Sequence, residues 1–236
     1  MEKENIFNWK HYQPELILLT VRWCLRYNVS FCNLVGGNDG ERGLSTAHTT
    51  IMRWIHQYGP QFEEKIRHHL KSTNDSWRVD ESFIKVKRQW MYLYRAVDLE
   101  ENTLDFHLSK SRDKQAAKRF FKKALAFLYT SKPRVITVDK NPAYPVTIQA
   151  LKEEKHMPEG IKIRQVRYLN NIVEQDHRFI KKRVRHMLGF KSFKTATSIL
   201  SGVEAMHMIK KGQIDLGSQS VQNQKEFIHQ VFGLIA

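Results

Sequence analysis

From Trp77 onward the hydrophobic period of the chain changes, and that change restricts the fold more than any other feature. The runs Trp77–Lys87, Trp90–Leu99 and Thr103–Ser109 are rich in Val, Ile, Tyr and Phe and are broken by charged turns, which reads as three strands. The pattern then lengthens to an amphipathic helix over Asp113–Tyr129. After it come a strand Arg134–Val138, a helix Val146–Lys155, a strand Lys162–Val166 and a long basic helix Asn170–His186. Three strands in a meander followed by alternating helices and strands call for one mixed α/β sheet. In such a sheet the later strands pair parallel to the first and the helices cover its faces.

That order is what a ribonuclease-H-like core produces, a mixed five-stranded sheet with flanking helices. Ahead of it the chain reads as helical. Pro14 opens a run to Asn28 that carries Leu16, Leu19, Val21, Trp23 and Leu25, and Ser45 is a candidate N-cap for a helix over Thr46–Tyr58 that Gly59-Pro60 stops. Between them Gly36, Gly37 and Gly40 each cost a helix about 1 kcal/mol relative to Ala, so a short or damaged helix is expected there. Short helices around a turn suggest helix-turn-helix. The second helix would then present His48, Thr49, Met52, Arg53 and His56 to the major groove, although a small helical packing unit fits the same pattern. The expected organisation is a helical DNA-binding domain over 1–65, a charged linker over 66–76, the catalytic core over 77–190, and a C-terminal helix and tail over 191–236.

Three acids stand out by position: Asp80 in the first strand, Asp139 at the carboxyl end of an apolar strand, and Glu174 early in the basic helix. An acid in an apolar strand is costly unless it is paired or binds a metal, and ligands of α/β sheets gather at the carboxyl ends of strands. Carboxylates without a Cys or His cluster suit Mg²⁺, with Mn²⁺ as a substitute. Two such ions activate an attacking oxygen and stabilise the leaving one in a displacement at phosphorus, so Asp80 is expected to bridge both ions while Asp139 and Glu174 each hold one. On the helix carrying Glu174, residues His177, Arg178 and Lys181 fall near the same face, with Lys182, Arg183 and Arg185 alongside, which predicts a basic cradle for a phosphate. A solvated cationic helix has the same charge run, and His177 reads equally as a packing histidine.

The 39 Lys and Arg against 24 Asp and Glu leave a net charge of +15, which favours a polyanionic partner such as double-stranded DNA. Cys24 and Cys32 are too few for a disulfide framework and sit in no zinc-binding spacing, so both read as ordinary thiols. No apolar run approaches a membrane span, and the opening MEKENIFNWKHYQPE lacks a leader pattern, so the expected location is cytoplasmic, at the nucleoid.

The segments WRVDESFIKVKRQWMYLYRAVD, VDKNPAY, YLNNIVEQDHRFIKKR and GFKSFKTATSILSGVEAMHMIKKGQ resemble those of the insertion-sequence-six family of transposases, and the resemblance runs from about Tyr12 to Gln213. The family resembles retroviral integrases in using a DDE triad on a ribonuclease-H-like fold, with thirty-four residues between its second Asp and its Glu; here residues 140 to 173 intervene, the same number. The resemblance implies that Asp80, Asp139 and Glu174 are the triad and that Lys181 touches DNA near the cut. It also implies that the N-terminal helices bind terminal inverted repeats, and that an exposed 3′-hydroxyl attacks target DNA. A dimer or larger assembly is expected, because two element ends must be held together. Two departures stand out: VGGNDG replaces a charged helical stretch, and DESF with Arg88 stands where DETY and Gly are usual. A catalytically silent DNA-binding remnant and a nuclease that only hydrolyses are the competing expectations.

Overall fold

The computed structural model describes residue 7 and residues 11–42, 46–126, 132–166, 170–187 and 190–235, except the side chains of 37–42 and 170–176. The chain divides into two compact units, a sheet unit over 71–181 and a helical unit that joins 1–70 to 182–236.

In the sheet unit the element order is β1 (Ser76–Val86), β2 (Gln89–Val97), β3 (Thr103–Ser109), α4 (Lys114–Leu125), β4 (Val135–Val138), α5 (Ala143–Glu153), β5 (Lys162–Gln165) and the first part of α6 (Asn170–His186), whose residues from 182 on are counted with the helical unit. The five strands lie in the order β3-β2-β1-β4-β5. β1, β2 and β3 pair antiparallel, whereas β4 pairs parallel with β1 and with β5. This is the mixed α/β sheet of the ribonuclease-H-like arrangement that the periodicity calls for. The β1–β2 turn is a two-residue loop in which Lys87 and Arg88 both take positive φ, 47° and 65°. Glycine adopts that conformation without cost, so Arg88 is an unfavourable occupant.

Alternation along β1 separates two faces. Trp77 and Val79 join Tyr94, Ala96, Leu104, Ile136 and Val138 in a core closed by Phe120 and Phe121 of α4 and by Tyr144, Ile148 and Leu151 of α5. Asp113 caps α4 by accepting from the Ala116 N–H at 2.8 Å, one residue inside the boundary expected from sequence. The opposite face of β1 carries Asp80 and Ser82, both buried.

The helical unit contains α1 (Pro14–Arg26), α2 (Phe31–Arg42), α3 (His48–Ile66), α7 (Phe193–Lys210) and α8 (Val221–Val231), with a 3-10 turn at Arg67–His69. Three sequence expectations are corrected here. Gly59-Pro60 does not stop α3. Phe62 and Ile66, beyond the proline, are 3% and 0% exposed. Burying two such side chains contributes about 1.5–3 kcal/mol each, enough to offset the ~3 kcal/mol that an interior proline costs. Gly59 itself lies at a close crossing of α3 and α7, where a Cβ would stand 2.7 Å from the Ser198 carbonyl oxygen. α2 is likewise continuous through Gly36, Gly37 and Gly40, and a Cβ on Gly36 would meet nothing within 4 Å. The third correction concerns the chain's end. The segment 191–236, expected as a C-terminal helix and tail, is two helices, α7 and α8, that pack in one unit with the N-terminal helices, and Phe232 stacks on Phe62 with ring centres 6.1 Å apart. The expected cap Ser45 lies outside the described residues; α3 begins after Ala47.

Candidate active site

Adjacent strands deliver the two described acids of the expected triad, Asp80 from the middle of β1 and Asp139 from just past the end of β4. In the parallel pairing of β1 with β4, Arg78 lies opposite Thr137, and carrying that register on by two residues sets Asp80 level with Asp139. Neighbouring strands are about 4.8 Å apart, so the two carboxylates arise side by side. All four residues of β4 are buried, and the strand stops at Asp139 because its carboxylate turns back to accept the Asn141 N–H at 3.0 Å. The Asn141 side chain in turn accepts the Ala143 N–H at 3.0 Å and starts α5. Asp139 is left with a side chain 26% exposed, whereas that of Asp80 is 7% exposed.

Helix α6 belongs to the same face as Asp80. His177 is buried, and its Nε2 lies 3.5 Å from Asp80 Oδ2. Arg95, the cross-strand partner of Asp80 on β2, is fully buried and sets its guanidinium over the Phe179 ring of α6 at 5.4 Å. His177 and Phe179 thus fix the helix over the Asp80 position. Glu174 belongs to α6 one turn before His177, and its side chain lies outside the described residues.

Sequence reasoning missed a second cluster on the neighbouring edge. Glu81 carries a side chain only 4% exposed and is ion-paired with Arg112 Nε. It also accepts from Asn141 Nδ2 at 3.1 Å. Arg112 Nη2 lies 3.5 Å from Asp139 Oδ2, so one guanidinium spans the residue after Asp80 and Asp139 itself. Burial lowers the affinity of Arg112 for its proton, but Glu81 and Asp139 outweigh that and hold its pKa above the ordinary value. Burial, reinforced by Glu81, pushes the Tyr144 hydroxyl well above the usual tyrosine range, so it stays protonated. Glu81 and Asn141 each adjoin or belong to a quoted motif, and Arg112 precedes the α4 cap, but a polar residue beside a motif carries no periodic signal.

The proposed DNA contacts separate on burial. His48, Thr49 and Arg53 of α3 are exposed, as are Arg178, Lys181, Lys182 and Arg185 of α6. His56 is half-buried, its Nε2 is enclosed, and burial lowers its pKa, which leaves it a poor groove contact. Arg183 is a correction. It is 2% exposed, and its guanidinium donates to the Val29 carbonyl at 3.0 Å and to Cys24 Sγ at 3.3 Å within the helical unit. A group committed to an interior carbonyl does not reach a phosphate. Burial raises the Cys24 thiol to about 12, so it stays neutral beside that charge.

Asp80 and Asp139 supply adjacent hard oxygen donors of the kind that suits Mg²⁺. Among the described residues no group of three or more His, Cys, Asp or Glu is arranged to hold a metal, and the Glu174 side chain is not among them. Among the described residues, too, no helix is long and apolar enough to cross a membrane.

A family model described as a DDE domain matches residues 74–213. The transposase for insertion sequence-like element IS431mec of Staphylococcus aureus (strain N315) is 34% identical over 208 residues, covering 88% of this chain and 89% of the relative. The transposase for insertion sequence element IS257 in transposon Tn4003, also from Staphylococcus aureus, matches with the same identity and coverage. A structure of the HTLV-2 integrase catalytic core domain in complex with magnesium aligns with a TM-score of 0.43 and 19% identity, over 56% of this chain and 84% of that one.

Proposed function

The chain belongs to the insertion-sequence-six family of DDE transposases, and from that membership we propose that it joins DNA ends to target DNA with Asp80, Asp139 and Glu174 as its catalytic carboxylates. The observation that carries the reading is the parallel β1–β4 register, which brings Asp80, in the middle of β1, level with Asp139 just past the carboxyl end of β4, beneath the helix that bears Glu174.

The three carboxylates would hold two Mg²⁺ ions, or Mn²⁺ in their place; when bound, these supply Lewis acidity to the attacking and leaving oxygens at phosphorus. The protein's own residues do the rest. His177 and Arg95 keep Asp80 and α6 in register, and the Asn141 N–H fixes the Asp139 carboxylate. The exposed Arg178, Lys181, Lys182 and Arg185 take up backbone phosphates, so the 3′-hydroxyl of the element end is held against a target phosphodiester. That hydroxyl attacks phosphorus and displaces the 3′-oxygen of the target strand. A preceding hydrolytic nick exposes the 3′-hydroxyl, and a cointegrate is the product. In the helical unit, α1 to α3 act as a helix-turn-helix that reads the terminal inverted repeats through His48, Thr49 and Arg53. The chain works as a dimer or larger assembly that pairs two ends.

A strand-transfer assay tests this with a labelled element-end oligonucleotide bearing an exposed 3′-hydroxyl, a plasmid target and Mg²⁺. Joined product is expected from the unsubstituted chain and not from Glu174→Gln. Nicking without joining by the unsubstituted chain, or joining by Glu174→Gln, refutes the proposal.

A further inference from the structure

Arg112 sits in the loop between β3 and α4, far in sequence from both acids that it touches. Its Nε/Nη2 edge is turned toward carboxylates, with Nε on Glu81 and Nη2 3.5 Å from Asp139. The side chain nevertheless remains 40% exposed, while Glu81 beneath it is 4% exposed. A guanidinium has five N–H groups in a rigid fork, and an edge fixed on a buried carboxylate leaves Nη1 and the second N–H of Nη2 on the open side. That outer edge has the shape of a bidentate phosphate receptor.

The charge balance points the same way. Asp80 and Glu81 in the middle of β1 and Asp139 at the end of β4 concentrate negative charge, which repels an approaching phosphodiester. Arg112 sets a fixed positive charge against Glu81 and Asp139. Its anchor is braced in turn by Asn141, which also holds the Asp139 carboxylate through its N–H.

We propose that Arg112 is a DNA-phosphate contact at the edge of the active site, and that Glu81 is the positioning residue that aims it. The inference rests on the reading of this face as the strand-transfer site.

Equilibrium binding of a fluorescein-labelled duplex oligonucleotide, measured in EDTA across a range of KCl concentrations, tests it without catalysis. Removing one phosphate-neutralising cation from a B-DNA complex makes the plot of log affinity against log salt shallower by about 0.9. Arg112→Ala and Arg112→Gln should each show that change, and Arg112→Lys should restore the slope because it keeps the charge. Arg134→Ala, which removes an exposed arginine paired with Asp75 in the same unit, should leave the slope unaltered. Glu81→Gln should weaken binding in the presence of Arg112 and should not weaken it in the Arg112→Ala background. An unchanged slope in Arg112→Ala and Arg112→Gln, with normal DNA binding by the unsubstituted chain, overturns the inference alone. Failure of the unsubstituted chain to bind duplex DNA overturns the strand-transfer reading and the inference with it.

Discussion

Two glycine substitutions, Gly59→Ala and Gly36→Ala, have opposite predicted effects although both lie inside helices. In α2, a Cβ on Gly36 meets nothing within 4 Å, so only helix propensity counts and the variant should be more stable by about 1 kcal/mol. In α3, a Cβ on Gly59 stands 2.7 Å from the Ser198 carbonyl oxygen of α7, closer than real Cβ contacts come. The obstacle is backbone, so the two helices must move apart. Gly202 sits in the same crossing, 3.6 Å from that position, and cannot give way by changing rotamer. Overpacking of this kind costs roughly 1–3 kcal/mol. The propensity gain is common to both variants and cancels in their difference, so Gly59→Ala should be less stable than Gly36→Ala by about 1–3 kcal/mol. Because the chain has two units that need not unfold together, native-state hydrogen exchange read on α3 and α7 peptides is the suitable assay. Equal stabilisation in both variants would refute the close crossing, and with it the account of why α3 runs through Gly59-Pro60.

Two further outcomes follow from buried polar groups. Arg183→Ala should destabilise the helical unit by about 1–3 kcal/mol, because the Val29 carbonyl loses its donor, yet leave the salt dependence of DNA binding unaltered; Lys181→Ala should do the reverse, as urea unfolding and the salt slope will show. His107 is held below its ordinary pKa of 6.5 chiefly by burial and then by Lys123. Between the lowered folded value and 6.5 the unfolded chain binds the extra proton, so this histidine should weaken the sheet unit as pH falls below 6.5 and contribute nothing above it. Urea midpoints taken from pH 7.5 down to about pH 5 should fall less steeply in His107→Gln; an identical pH profile would exclude His107 as a source.

What was legible in the sequence was whatever a period or a solvation cost reports. The period of two in β1 to β3 and its replacement by alternating helices and strands gave the element order and a mixed sheet with later strands parallel, because few topologies satisfy short right-handed connections; the order of the strands across the sheet came from the structure. Asp80 and Asp139 could be picked out because a carboxylate among buried apolar neighbours needs a reason to be there. Glu81 had no such signal: it follows Asp80, and a second acid beside the first reads as strand alternation until Arg112 and Asn141 are seen to converge on it. Gly59 was misread because a Gly-Pro pair is locally a helix stop, and what overrides it is the long-range packing of α3 on α7. Arg183 was misread for a related reason, since a run of cations has the same sequence whether each faces water or an interior carbonyl. Its removal from the proposed DNA contacts sharpens what remains. Arg178, Lys181, Lys182 and Arg185 are spaced at i, i+3, i+4 and i+7, which is one helical face, and all four are exposed. Arg183, five residues after Arg178, falls off that face and is buried. Helix geometry and burial therefore select the same four cations from a run of five, and a phosphate-binding stripe is better supported by four on one face than by a charge count that ignored direction.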